Sequence, residues 1–132
     1  MEIMEKKGLV CIVEDNKSIA KLFATILTKN NYATIEFNDG ISALNWLTEN
    51  VPLCIITDIL LPDMNGTELL SKIRSNDNLR QVPVVAITGL AQPGDEEKLL
   101  SAGFDGYMAK PINVVSFVQD IEKIIENKKS KN

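Results

Sequence analysis

Histidine is absent from the sequence, and cysteine occurs only twice. Without histidine the chain cannot hold a Ser-His-Asp or Cys-His triad, nor a zinc ion with histidine ligands. The two cysteines, Cys11 and Cys54, lie inside apolar runs, where a free thiol behaves as a small buried hydrophobe. Any catalysis must therefore come from carboxylates, lysine or hydroxyl groups.

The chain also has no long apolar run and little basic surface. A membrane-spanning helix needs about 18 or more apolar residues, and the opening residues MEIMEKKG lack the apolar middle of a signal peptide. A net charge of -4 and a pI near 4.8 argue against neutralising nucleic-acid phosphates. We expect a soluble, cytoplasmic protein that binds neither membrane nor nucleic acid.

What the sequence does contain is a regular alternation of strand and helix patterns. Apolar runs of strand length lie at 9–13, 53–57, 82–87 and 107–108, and apolar and polar residues alternate at 33–37. Helical periodicity falls at 19–27, 41–47, 69–73, 95–102 and from near 113 to 125. Such alternation favours an α/β fold, a flavodoxin-like (βα)5 doubly wound parallel sheet with strand order 2-1-3-4-5. We expect a single domain over 1–132, with its core at about 8–126 and a polar tail at 127–132.

In such a sheet, ligands bind beyond the carboxyl ends of the strands. The polar residues that follow those ends are Glu14, Asp15, Asp58, Thr88 and Lys110. Each alone has an ordinary explanation, such as a helix entry, an N-cap or a surface lysine. Their joint placement at one edge favours a functional site instead.

Three carboxylates at one place repel each other unless a cation holds them. Oxygen ligands without histidine or cysteine favour Mg2+, Mn2+ or Ca2+. A carboxylate is also a nucleophile toward phosphorus, and Asp58 is the most central of the three. Lys110 and Thr88 could then contact the phosphoryl oxygens, while Glu14 and Asp15 hold the metal.

From Leu9 to about Ile125 the chain resembles the CheY-like receiver domains of two-component response regulators. The matching pieces are Val13-Glu-Asp-Asn16, Asp58 with Pro62, Met64-Asn-Gly66, Val84-Val-Ala-Ile-Thr88, Ala102-Gly103, Tyr107 and Lys110-Pro111. The segments 94–98 and 110–115 look like the stand-alone DivK type in particular. The alternative within the family is a receiver cut from a hybrid histidine kinase or a larger regulator.

The resemblance implies that Asp58 accepts a phosphoryl group from a histidine kinase or a histidine phosphotransfer protein. It implies Mg2+, with Mn2+ as a substitute, held by Asp15, Asp58 and the backbone carbonyl of Leu60, while Glu14 acts through water. It also implies a cis bond between Lys110 and Pro111.

The family's signal involves Thr88 and the switch aromatic Tyr107. These residues would change the face formed by the fourth helix, fifth strand and fifth helix, where a downstream protein binds. The protein would then be no enzyme beyond its own phosphorylation and slow dephosphorylation, and would act as a monomer or weak dimer.

Two finer expectations concern packing near Asp58. The apolar residues Leu60 and Leu90 should hinder attacking water, which predicts a long-lived aspartyl phosphate. Cys11 and Cys54 each lie four residues before an aspartate, which predicts reduced thiols side by side on adjacent strands.

Two other classes compete with a receiver. A phosphohydrolase of the haloacid dehalogenase type needs a second acid two residues after the nucleophile, where this chain has Leu60. A flavodoxin-like nucleotide binder would need glycine in its first loop, but that loop reads Glu14-Asp-Asn-Lys-Ser18, and no P-loop occurs.

Overall fold

The computed structural model of the protein describes residues 6–89 and 92–130. Within these ranges the predicted alternation of strands and helices is present, with one additional 3-10 turn. The elements are β1 (Leu9–Val13), α1 (Lys17–Lys29), β2 (Ala33–Phe37), α2 (Gly40–Leu47), β3 (Cys54–Asp58), α3 (Gly66–Arg74), the 3-10 turn (Asp77–Leu79), β4 (Val84–Thr88), α4 (Asp95–Ala102), β5 (Gly106–Ala109) and α5 (Phe117–Ser130).

The five strands form one parallel sheet in the order β2-β1-β3-β4-β5. This confirms the predicted flavodoxin-like doubly wound fold. Every residue of β3 and β4 is buried, since helices cover both faces of the sheet. One core layer contains the stacked rings of Phe23 and Phe117, whose centroids are 5.2 Å apart, and the other contains Leu47 and Leu69.

The register between β1 and β3 corrects one prediction. Val10 pairs with Cys54, and Cys11 pairs with Ile55. Because successive side chains point to opposite faces of a strand, the two thiols enter different core layers. The predicted side-by-side arrangement is therefore wrong, although both cysteines are free and buried as expected. Burial raises the pKa of Cys11 to about 12, so its thiol stays protonated.

The last helix differs from the prediction at both ends. It begins at Phe117 rather than near Asn113, whose side-chain oxygen accepts hydrogen bonds from the backbone of Val115 and Ser116 in the preceding turn. It continues to Ser130, so residues 127–130, predicted as a polar tail, form its final turn. Residues 131–132 of that predicted tail lie outside the described ranges. In the described part of the chain, no helix has the length and apolar character to cross a membrane.

Candidate functional site

Four of the predicted site residues meet at the carboxyl edge of the sheet. Glu14 follows β1 and is 3% exposed, whereas Asp58 ends β3 and is 7% exposed. Thr88 ends β4 and is also buried, and Lys110 follows β5. Parallel strands whose carboxyl ends share one edge bring these side chains together, as the strand pattern predicts.

Lys110 bridges the two buried carboxylates. Its Nζ lies 2.7 Å from Asp58 Oδ2, to which it donates a hydrogen bond. It also lies 2.7 Å from Glu14 Oε1, but that contact is an ion pair without favourable hydrogen-bond angles. Burial alone would lower the pKa of Lys110, yet its contacts with Asp58 and Glu14 raise it overall. The lysine is therefore held as a cation.

The pKa of Glu14 is raised, chiefly because burial penalises its charged form. Lys110 and the backbone N–H of Asn16, which donates to Glu14 Oε2 at 3.0 Å, oppose that shift. The register of β1 and β3 explains why Glu14 is the buried acid. Val13 pairs with Thr57, so the next residues, Glu14 and Asp58, lie at the same level of the sheet.

Asp15 completes the acidic cluster from an exposed position at its rim. One carboxylate oxygen from each of Glu14, Asp15 and Asp58 lies within 4.8 Å of the others. Lys110 supplies one positive charge among three carboxylates, which leaves negative charge in excess. A set of hard oxygen donors with excess negative charge fits a divalent cation such as Mg2+.

The loop after Asp58 is folded tightly against the end of β3. The backbone N–H of Leu60 donates to Asp58 Oδ1 at 3.0 Å, and that of Gly66 donates to the Ile59 carbonyl at 2.7 Å. The Leu60 side chain is 56% exposed beside the site. Leu90, the second residue of the lifetime prediction, lies outside the described ranges.

The strand-end residues of β4 and β5 are also connected through their backbones. The N–H of Lys110 donates to the Thr88 carbonyl at 2.8 Å, and the Lys110–Pro111 peptide bond is cis. The half-buried Tyr107 lies on β5 opposite Ala86. Burial and the nearby acids of α4 raise the pKa of its hydroxyl.

Sequence reasoning did not identify Asp63, which lies at the tip of the loop between β3 and α3. Its carboxylate accepts hydrogen bonds from the backbone N–H groups of Gly40 and Ile41, at 2.9 and 2.8 Å. Backbone donors at the start of α2 accordingly lower the pKa of Asp63. A turn residue that contacts a distant helix carries no periodic signal, so the sequence pattern could not have shown this role.

A second charged cluster, at the amino edge of the sheet, was also not predicted. Arg74 at the end of α3 contacts Asp105 at 2.7 Å, and Lys128 of α5 contacts the same carboxylate at 3.1 Å. Arg74 also donates to the carbonyls of Leu79 and Val82. This cluster joins α3, α5 and the strand starts at the end of the sheet opposite Asp58.

The fold and the lysine-bridged acids define an α/β protein with a carboxyl-edge site of the flavodoxin-like class. The response regulator receiver domain family matches residues 10–122, and the chain belongs to that family. It is a receiver domain of the two-component response regulators. Receiver domains bind Mg2+ at an acidic pocket and interact with histidine kinases and phosphotransfer proteins.

Individual relatives agree with this assignment. The chain is 38% identical to the polar-differentiation response regulator DivK of Brucella anthropi over 116 residues, which cover 88% of this chain and 94% of that protein. A sensor histidine kinase receiver domain from Pseudomonas aeruginosa, solved with a magnesium ion in its active site cleft, is 29% identical, with TM-score 0.81 and coverage of 90% and 98%.

The chemotaxis response regulator CheY4 of Vibrio cholerae shares the fold, with TM-score 0.83 at 22% identity and coverage of 92% and 99%. The resemblance inferred from the sequence motifs, including its DivK-like character, is therefore confirmed.

Proposed function

We propose that this receiver takes a phosphoryl group on Asp58 from a histidine kinase or a histidine phosphotransfer protein, in a reaction that depends on Mg2+. The observation that carries the proposal is the pairing of Asp58 with Lys110 at 2.7 Å inside a cluster of two further acids. Asp58 is 7% exposed, so its side chain is largely shielded from bulk solvent at the edge of the sheet.

In this proposal Asp15, Asp58 and the backbone carbonyl of Leu60 hold the metal, and Glu14 acts through water. When bound, Mg2+ neutralises charge on the phosphoryl oxygens during transfer. An Asp58 oxygen attacks phosphorus, and the bond from phosphorus to the donor nitrogen breaks. Lys110 then exchanges its contact with Asp58 for one with a phosphoryl oxygen, because the new dianion is the stronger partner.

The signal would leave through Thr88 and Tyr107. The hydroxyl of Thr88 donates to a second phosphoryl oxygen, and Tyr107 turns inward as Thr88 moves. None of the eight residues of α4, all of which the structure describes, is buried, so this helix is held by few core contacts. A change at Tyr107 can therefore reshape the face of α4, β5 and α5, to which a downstream protein binds.

We further propose that this receiver acts in the cytoplasm as a regulator of the DivK type and is a monomer or weak dimer. It would catalyse only its own phosphorylation and slow dephosphorylation. Similarity to DivK over 94% of that protein's length supports this form of regulator.

Incubation with acetyl phosphate and Mg2+, followed by intact-mass measurement, tests the phosphoryl acceptor. The wild type should gain one labile acyl phosphate, and Asp58→Asn should gain none. Asp77→Asn, which changes an exposed acid outside the site, should behave as the wild type. Steady release of phosphate without a phosphorylated protein would favour a phosphohydrolase and contradict the proposal.

The lifetime of the aspartyl phosphate stays a separate prediction. The exposed Leu60 side chain beside Asp58 should impede attacking water, so Leu60→Asn should shorten the half-life of the phosphorylated form. Loss of the phosphoryl group from the wild type within seconds, in the presence of Mg2+, would contradict this expectation.

A further inference from the structure

The loop between β3 and α3 is tied to α2 at its tip. Asp63 accepts the backbone N–H groups of Gly40 and Ile41 through its two separate oxygens, at 2.9 and 2.8 Å. Next to it, Met64 packs so closely on the helix that a methyl group at Gly40 would lie 2.6 Å from its Sδ. The tip therefore has both a polar and an apolar contact with another element.

These contacts bear on the proposed metal site through a short stretch of backbone. The Leu61 N–H donates to the Met64 carbonyl at 3.2 Å, and Leu60 forms a β-bridge with Asn65. The Leu60 N–H also donates to Asp58 Oδ1. A displacement of the tip would therefore move the Leu60 peptide, whose carbonyl is a proposed metal ligand.

We propose that Asp63 is a positioning residue for the magnesium site, which it serves by fixing the tip of this loop to the start of α2. The inference rests on the proposed function, since it presumes that the Leu60 carbonyl binds the metal. Asp63 itself points to the helix amides rather than to Asp58. Its effect on the metal therefore passes through the loop backbone, as residues behind metal ligands commonly act.

The chain offers a matched control in Asp39, the N-cap of the same helix. Its carboxylate accepts the N–H of Ser42 at 2.7 Å, so it satisfies another backbone donor of the same first turn. Asp39→Ala and Asp63→Ala each remove one negative charge and one helix-capping side chain. If only helix capping matters, the two substitutions should change Mg2+ affinity equally. If the loop position matters, Asp63→Ala should have the larger effect, because of these two residues only Asp63 belongs to the loop that follows Asp58.

Mg2+ affinity, measured by titration calorimetry, separates the two roles. We expect Asp63→Ala to weaken the Kd for Mg2+ about tenfold, and Asp39→Ala to change it less than about twofold. Asp63→Asn, which keeps one acceptor oxygen, should fall between them. Equal Kd values for the two alanine variants would overturn the inference. Failure of the wild type to bind Mg2+ would instead overturn the proposed function, and this inference with it.

Amide hydrogen exchange of the metal-free protein provides a second readout that does not require the ion. Asp63→Ala should speed the exchange of the Leu60 and Leu61 amides, whereas Asp39→Ala should leave them at the wild-type rate. Denaturant unfolding of both variants checks that each remains folded. Unchanged exchange at Leu60 and Leu61 in folded Asp63→Ala would show that the loop does not need this tie.

Discussion

The two edges of the sheet carry charged clusters of similar size but opposite character. At the carboxyl edge, one cation, Lys110, forms ion pairs with the acids Glu14 and Asp58. At the amino edge, one acid, Asp105, forms ion pairs with the two cations Arg74 and Lys128. It also accepts a hydrogen bond from the backbone N–H of Val84 at 2.9 Å. Both clusters are largely shielded from solvent.

The two clusters differ in how well their buried groups are satisfied. Asp105 receives hydrogen bonds from Arg74 and Val84, and Arg74 also donates from Nη1 to the backbone carbonyls of Leu79 and Val82. In contrast, Glu14 Oε1 is buried with an ion contact but without a well-angled hydrogen bond. Removing one partner from a well-paired buried cluster leaves an uncompensated charge, whereas a cluster with excess charge retains binding capacity for an ion.

The largest effect on stability should come from breaking the amino-edge cluster. Asp105→Ala would leave the mostly buried Arg74 guanidinium and the Val84 N–H without their shared acceptor. We expect a loss of about 3 kcal/mol in the free energy of unfolding, measured by urea denaturation.

The folded fraction of this variant should still accept a phosphoryl group. Asp77→Ala, which breaks an exposed pair with Arg80, is the control, and its stability should change by less than about 1 kcal/mol. Similar losses in the two variants would show that the amino-edge cluster is no more than a surface pair.

At the carboxyl edge, Lys110→Met should have a smaller effect that depends on the metal. The substitution leaves the Glu14 and Asp58 carboxylates facing each other, with an expected loss of about 2 kcal/mol in metal-free protein. The loss should be smaller than for Asp105→Ala, because the backbone N–H groups of Asn16 and Leu60 keep their carboxylate acceptors in Lys110→Met.

Mg2+ can replace the missing positive charge among these acids. It should therefore raise the stability of Lys110→Met by at least as much as it raises that of the wild type. Thermal unfolding with and without Mg2+ measures this difference. A variant that Mg2+ stabilises less than it stabilises the wild type would contradict the view that the carboxyl edge is short of positive charge.

The sequence predicted the carboxyl-edge cluster but not the amino-edge cluster. The carboxyl-edge acids could be located because each follows an apolar run, and β1 and β2 have the predicted bounds for the same local reason. The amino-edge contact between Asp105 and Lys128 joins residues far apart in the chain, and neither interrupts a pattern.

Register was the other property that local patterns could not supply. Counting back from the aspartates predicted Cys11 beside Cys54, but the strands pair Cys11 with Ile55. The offset of one residue is a property of how the two strands pair, which neither strand shows by itself. It also decides that Glu14, rather than Asp15, lies level with Asp58.

Glu14→Gln tests the excess charge at the carboxyl edge directly. The amide keeps an acceptor for the Asn16 N–H but removes a buried negative charge. We expect a gain of about 1 kcal/mol in the stability of metal-free protein at neutral pH, and an approximately tenfold weaker Kd for Mg2+. Urea denaturation and calorimetric titration measure the two effects, and a loss of stability would contradict the first.

The gain should depend on pH in a defined direction. The pKa of Glu14 is raised above its ordinary value of 4.5 in the folded protein, so folding disfavours the charged form. Below that ordinary value both the folded and the unfolded states are protonated, and the penalty is absent. It grows as pH rises from that ordinary value to the raised pKa, and it is constant above the raised pKa. The stability difference between Glu14→Gln and the wild type should therefore increase from pH 4 to neutral pH.

The smallest expected effect concerns the end of α5, where the amino-edge cluster gains its second cation. Lys128 contacts Asp105 at 3.1 Å with its side chain 19% exposed. Lys128→Ala should cost about 0.5 kcal/mol in the free energy of unfolding, since Asp105 Oδ2 keeps its hydrogen bonds from Arg74 and Val84. Lys129→Ala, at an exposed position of the same turn, should change stability less.

This difference separates a packed final turn from a solvated tail. In a tail, the two lysines would be equivalent, because neither would have a fixed partner and salt would screen both alike. In the observed helix, the stability losses of Lys128→Ala and Lys129→Ala should simply add, because the two lysines do not share a partner. The losses of Lys128→Ala and Asp105→Ala should not add, because Asp105→Ala already removes the partner of Lys128. A double-mutant cycle by urea denaturation measures this coupling. A coupling energy of zero between Lys128 and Asp105 would place the final turn outside the amino-edge cluster.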